Sequence, residues 1–324
     1  MPAFSRYLAW GEETTYGTAA ASVTNYVDIE SESLRRVQTY TQIRPHRWAK
    51  QQRQNRTRRH VAGSIDALVG WDSVGAFLRY LIDRPDSSGP ASGIYTHLYY
   101  THPNSESPTP SLTMDVPREV TMHRHLGCVL TGGSIVLDST RKILGLRLDV
   151  LGADETTLSI PSVASSAFDA DPPIDVGDVT ATSSLSLTLD DGSTSWAASM
   201  ESATLTYTNS RKLRNPPRSD VPTGFVPGMV VGVKLAVKWV YDDDSEFLVD
   251  AIRDRTTVDV TLLFVDGLKS LRFKLPACYV DGQIPTVSGA GYRNIPLAIN
   301  FTPIFDTSID YFMEVQLKNE TASY

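Results

Sequence analysis

The sequence predicts a mainly β protein built as two tandem β-sandwich or barrel modules, each with one short flanking α-helix. Three observations carry that reading. First, Val61, Ile65, Ala67, Val69, Trp71, Phe77, Leu78, Leu81 and Ile82 recur at a constant offset of 170 as Val231, Leu235, Val237, Trp239, Tyr241, Phe247, Leu248, Ala251 and Ile252. The chain therefore states one unit twice, which sets modules at residues 1–165 and 166–324. Second, apolar positions alternate up to Val69 or Trp239 and then switch to the helical spacing Val74, Phe77, Leu78, Leu81, a half-buried strand feeding an amphipathic helix. Third, most of the remainder is short alternating segments broken by Gly, Pro and Asp.

In chain order, Tyr7 and Trp10 anchor an N-terminal segment before a small, polar turn region at Gly11–Thr18. The strand DIESESL follows and recurs as MESATL, with Glu30, Ser31 and Leu34 matching Glu201, Ser202 and Leu205. A long basic loop leads from each of these strands to the repeated strand. Asp72 or Ser73, and Asp244 or Ser245, are suited to cap the helices. Arg84–Pro110 is an excursion present in the first copy only, an extra loop or hairpin whose Tyr95, Tyr99 and Tyr100 are available to pack against a neighbour. Paired strands then close each copy: Ser134–Leu137 with Ile143–Leu151, and Ile284–Val287 with Ile295–Pro303. Cys128 and Cys278 sit in matching contexts, each followed by a glycine-bearing turn. Thr156–Asp178 reads as a polar, proline-bearing connection. Ser184–Leu189, with the Asp190-Asp191-Gly192 hairpin signal, opens the second copy, and Ile309–Tyr324 contains a last strand.

With 324 residues and 41% hydrophobic content the chain can bury real cores. No apolar run approaches the ~20 residues that cross a bilayer, and MPAFSRYLAWGEE lacks a signal peptide's apolar stretch, so a protein made in the cytoplasm, away from membranes, is expected. Two cysteines in equivalent places of separate modules read as buried thiols rather than a disulfide. The net charge of −7 hides a segregation: Arg35–His60 holds eight arginines and Lys50 with no acidic residue, and Thr206–Val230 holds Arg211, Lys212, Arg214 and Arg218 against Asp220 alone. The rest of the chain is strongly acidic, so two basic arms sit on an acidic body.

Signatures of catalysis are missing: no G-x-S-x-G elbow, phosphate-binding loop, dinucleotide fingerprint or H-E-x-x-H occurs, and neither enzyme activity nor a cofactor is expected. His123, His125 and Cys128 have a spacing that could serve zinc, but strand alternation puts the histidines on one face and the cysteine on the other. Asp242–Asp244 fit helix capping better than a cation site. The arms carry the main functional signal. Arg53, Arg56, Arg58 and Arg59 near Trp48 could track phosphates, yet the acidic body repels a polyanion. A contact in which the arm of one subunit lies on the acidic body of the next uses both signs of charge at once. The contact residues expected on this reading are Arg44, Arg47, Lys50, Arg53, Arg56, Arg58 and Arg59 in the first arm and Arg211, Lys212, Arg214 and Arg218 in the second.

Gly11, Glu13, Thr14, Thr15, Gly17 and Thr18, then the ESESL strand, a long loop, Gly63-Ser64-Ile65 and a short F-L-x-x-L helix, resemble in this order the tail tube proteins of long-tailed, siphovirus-type bacteriophages. The resemblance implies a structural virion protein whose modules form sixfold rings stacked into a tube that conducts DNA. Two fused modules would make that ring from three copies, with the loop that is here the basic arm reaching the adjacent ring. Its implied partners are copies of itself, other tail proteins at the tube ends, and DNA passing through the lumen without sequence-specific contact. An acidic wall suits passage because it repels phosphates. A nucleic-acid-binding β protein and another tail ring, such as a terminator or baseplate component, are the alternatives, and the Arg84–Pro110 excursion departs from the family pattern.

Overall fold

The computed structural model describes residues 7–43, 53–82, 85–101, 110–138, 142–160, 173–174, 185–190, 195–198, 202–209, 211–216, 219–226, 231–241, 246–282, 295–305 and 311–324. The first half contains β1 (Tyr7–Glu12), β2 (Asn25–Glu32), β3 (Arg35–Ile43), β4 (Arg53–Leu68), α1 (Ser73–Leu81), β5 (Asp86–Ala91), β6 (Ile94–Tyr100), β7 (Leu112–Arg118), β8 (Thr121–Asp138), β9 (Gly145–Gly152) and β10 (Asp154–Leu158). The second contains β11 (Leu185–Asp190), β12 (Ser195–Ala198), β13 (Ser202–Asn209), β14 (Lys212–Arg214), β15 (Gly224–Val226), β16 (Val231–Tyr241), α2 (Glu246–Asp254), β17 (Thr257–Asp266), β18 (Lys269–Gly282), β19 (Ile295–Pro303) and β20 (Glu314–Asn319). The protein is mainly β, as its alternation predicts.

The repeat extends to strand pairing. Antiparallel ladders run β1, β2, β4, β9, β8, β7 and back to β1, so the first copy closes on itself like a small barrel. In the second copy β11, β12, β13, β16, β19, β18 and β17 follow the same order, with β12 and β13 together in the place of β2. Closure of this kind protects strand edges from unwanted pairing.

The copies are not separately cored. Helix α1 buries Val74, Phe77, Leu78 and Leu81, the positions its spacing marks, and Trp10 stacks on Phe77 at 4.9 Å. These side chains meet Leu205, Tyr207, Phe273 and Met313 of the second copy, and one continuous apolar cluster runs through both. Burying each such side chain contributes about 1.5–3 kcal/mol, so the shared core is a substantial tie between the copies.

Several sequence expectations change in detail. Asp72 is the N-cap of α1 but makes no side-chain cap bond; its carboxylate instead accepts from Thr321 Oγ1 at 2.7 Å and Asn319 Nδ2 at 3.3 Å. Gly132 and Gly133 lie inside β8 rather than in a turn. A Cβ on Gly133 would stand 2.9 Å from the Leu81 side chain and 3.1 Å from Arg147 O, so α1 and β9 both crowd this position. Strand β8 is accordingly far longer than Ser134–Leu137. Thr156–Leu158 belongs to β10, and the Ile174 amide donates to Val69 O, so the expected connection begins and later touches down as structure. Both cysteines are buried and free. Asp244, Ser245, Ile284–Val287 and most of the connection lie outside the described residues.

Within the excursion β5 and β6 form a hairpin whose Tyr99 turns inward, while Tyr100 lies half-buried on the opposite face of β6. Tyr99 is fully buried with its hydroxyl on Gly75 O at 3.0 Å, and Tyr100 packs on Tyr311 at 5.2 Å. Strand β20 lies between β6 and β18, joining the hairpin of the first copy to the sheet of the second. The end of β20 and the residues after it then strap α1: Asn319 Nδ2 donates to Trp71 O at 2.8 Å, and Tyr324 sits against Gly75 and against His97, 4.9 Å away.

Candidate assembly interface

Strands β8 and β13 join the two copies by seven antiparallel residue pairs, Gly132↔Thr208 to Asp138↔Ser202. Alternation aims Ala203, Leu205 and Tyr207 into the shared core and leaves Ser202, Thr204, Thr206 and Thr208 facing outward. Strand β13 thus has β8 on one side and β16 on the other. Its counterpart β2 pairs with β4 on one side, and beyond Asp28 no strand among the described residues lies on the other.

The first basic arm is an antiparallel ribbon, not a loop. Pairing of β3 with β4 continues from Arg35↔Ala62 to Ile43↔Arg53, with a bulge at Thr39/Tyr40. Nine residues of strand span roughly 30 Å, enough to carry the distal end well clear of the sheet. Arg53 and Arg56 stand in the outer part of β4. Arg44, Arg47 and Lys50 lie outside the described residues, as does Arg218. Near the base the cations diverge. Arg58 is exposed, whereas Arg59 turns back to Asp154 at 2.9 Å, where Arg36 joins it at 3.0 Å. The Arg59 amide donates to Asp220 O, so the two arms touch at their roots.

The second arm is a small ribbon, β14–β15, with Lys212 and Arg214 exposed. Arg211 is buried instead, its Nη1 donating to Tyr80 O at 2.9 Å and Leu130 O at 3.0 Å. It fastens the root of this arm to the first copy. Of the predicted contact residues, then, Arg59 and Arg211 are engaged within the chain, while Arg58, Lys212 and Arg214 present their charge outward. Of the anchors, Asp154 and Glu155 carry no signal in the sequence, because β10 is polar and lacks apolar alternation, and Arg36 reads only as one more cation of the arm.

Below the arm's root lies a partly buried ionic cluster. Arg118 grips Glu32 with two bonds of 2.7 and 2.9 Å and also donates to Leu34 O; Arg124 holds Asp115 in the same forked way at 2.8 and 2.7 Å. His123 Nδ1 lies 2.5 Å from Glu155, and burial, which alone would raise the Glu155 pKa, is outweighed by this bond and by the charges of His125, His123 and Arg118. His125 is wholly buried and neither ring nitrogen has a hydrogen-bond partner. Burial pushes its pKa down to about 4, with Glu155 and Glu32 opposing and Arg118 and His123 assisting. Among the described residues no three side chains gather as a metal site, and Cys128 lies apart, beside Gly152.

Acid lability follows. The unfolded chain binds a proton at His125 near the ordinary imidazole value of 6.5, while the folded chain resists until about 4, so stability falls as pH drops through that window. The loss reaches about 3 kcal/mol, because each tenfold difference in proton affinity between the two states is worth ~1.4 kcal/mol. Thermal unfolding of His125→Leu from pH 7.5 to 4 should show a correspondingly flatter pH dependence than the parent chain; parallel curves would remove His125 from the account.

These features define a class: a duplicated antiparallel β protein whose two copies are joined edge to edge and which projects charged ribbons from its sheet. Over residues 4–303 the chain matches the family described as phage tail tube protein, and it belongs to that family. It is a structural component of a phage tail. No curated protein matches the sequence. Among the described residues no helix is long and apolar enough to cross a membrane.

Proposed function

We propose that three copies of the chain close into a ring of six modules with pseudo-sixfold symmetry, and that such rings stack into the tube through which DNA leaves the virion. The observation that carries this reading is the β8–β13 seam. Within one chain it joins module to module by strand pairing. Repeating the same step from the second module of one protomer to β2 of the next uses the side of β2 that no described strand occupies, and three such steps close a ring. On this reading the module division at residues 165 and 166 marks where the unit repeats, although the core is continuous across it. The exposed cations Arg58, Lys212 and Arg214, with Arg53 and Arg56 farther out, then meet the acidic flank of an adjoining copy.

Two cations spent inside the chain, Arg59 and Arg211, leave the arms poorer in phosphate-binding charge than the sequence suggests, which weakens the nucleic-acid-binding alternative. Light scattering and negative-stain microscopy of the purified protein test the proposal. Trimers and open-ended tubes are expected; a protein that stays monomeric at high concentration overturns it. Replacing residues 44–52 by a two-residue turn should leave trimers intact while tubes shorten or vanish, and undiminished tubes would exclude the arm from stacking.

A further inference from the structure

Two hairpin tips end in bare aliphatic side chains. Between β7 and β8 the pair Arg118↔Thr121 closes a two-residue turn, Glu119-Val120, and between β17 and β18 the pair Asp266↔Lys269 closes Gly267-Leu268. In each, the first turn residue has positive φ, 49° at Glu119 and 60° at Gly267. The second is 82% exposed at Val120 and 68% at Leu268, the highest values of any large hydrophobic side chain among the described residues. Such turns favour Gly, Asn, Asp or Ser for conformational reasons, so nothing in the turn itself asks for valine or leucine. The residue types differ between copies, yet the exposed aliphatic recurs at the same structural position.

Strand directions place both tips at one end of the molecule. Strands β4 and β8 are each antiparallel to β9, and β16 and β18 are each antiparallel to β19. Strand β13 is antiparallel to both β8 and β16, so all four run the same way. The arms precede β4 and β16, and the two turns precede β8 and β18, so arms and aliphatic tips share one end. At the opposite end of β8, where Val136 pairs with Gly145, Val136 and Ile143 are each 37% exposed. Apolar groups thus mark both ends of the same sheet.

We infer that Val120 and Leu268 are apolar pegs for a second copy of this chain stacked head to tail, seated on the end that presents Val136 and Ile143. A contact between unlike ends propagates without closing, as a tube requires. The pegs supply burial that persists in salt, while the arms beside them supply attraction that salt screens. This inference rests on the stacked-ring proposal and adds to it a contact independent of the arms.

The test is the double variant Val120→Asn, Leu268→Asn, chosen because asparagine suits these turns and leaves the fold intact. Trimers and melting temperature should match the parent chain, while the protein concentration needed for tubes rises about tenfold or more, and the deficit should remain in high salt. The exchange Val120→Leu, Leu268→Val should polymerise normally. Tubes forming at the parent concentration overturn the pegs alone. Loss of trimers in the asparagine variant also overturns them, by assigning the tips to lateral contacts. A parent chain that never forms rings fails both this inference and the proposal beneath it.

Discussion

Replacing Gly63 is expected to cost about 3 kcal/mol for alanine and more for valine, enough to leave much of the protein insoluble on expression. The chain turns from β2 into β3 at Ser33-Leu34, directly over β4. A Cβ on Gly63 would lie 2.5 Å from Ser33 O, 2.6 Å from Ser33 C and 2.7 Å from Leu34 Cα. All three are backbone atoms, so no rotamer change relieves the clash. The corner is also pinned: the Ser33 amide donates to Ser64 O at 2.9 Å, the Ser64 amide donates to Ser33 Oγ at 2.9 Å, and Leu34 is buried. Admitting a side chain means breaking those bonds or lifting Leu34 out of the core. Chemical denaturation of Gly63→Ala decides the matter, and a shift below about 1 kcal/mol would show that the corner yields.

That glycine also shows what is readable in advance. Gly63-Ser64-Ile65 stands out as a motif in the sequence, and the structure gives each member a reason: close approach, corner hydrogen bonds and a fully buried side chain. Helix α1 is readable for the same kind of cause, since its buried face obeys a local period. Pairs distant in sequence are not. Nothing in the polar stretch Asp154–Leu158 announces a strand, because it lies along β8 and is defined by that partner rather than by its own alternation. Arg211 looks like its neighbours Lys212 and Arg214, and only the carbonyls of Tyr80 and Leu130 distinguish it. The excursion can be seen to be extra, but not that β20 lies beside it.

These nonlocal ties share a direction. The β8–β13 ladder, Arg211, the β6–β20 ladder and the strap from Asn319 to Tyr324 all run from one copy to the other. Duplication followed by fusion leaves two modules free to flex about a linker unless their interface is rigid, and here it is fixed on both flanks. A ring built from such pairs has half of its module junctions set within the chain. In the proposed ring only the remaining half would form by association, which lowers the entropic cost of closing it.

Glu13 is the other position where one substitution should be severe. Its carboxylate accepts from the Gly17 amide at 2.8 Å, Ser111 Oγ at 2.7 Å, Thr113 Oγ1 at 3.0 Å and the Gly127 amide at 2.8 Å. Those donors come from the turn after β1, the residue before β7 and the start of β7 itself, and the kink in β8 where Gly127 has φ 62°. One buried side chain therefore ties the G-x-E-T-T-x-G-T segment to the barrel wall. Glu13→Ala strands four donors, two of them backbone amides that have little freedom to turn elsewhere. At roughly 1–3 kcal/mol per buried unsatisfied group, partly relieved by hydroxyl rotation and entering water, the loss should be about 4 kcal/mol. Glu13→Gln should fall between, since its amide group faces two donors with donors of its own. Amide exchange at Gly17 and Gly127 offers the local readout: both should lose protection in Glu13→Ala by more than the global destabilisation explains. Protection that falls only in step with global stability would mean that these amides find other acceptors, and that the carboxylate is not what holds the segment in place.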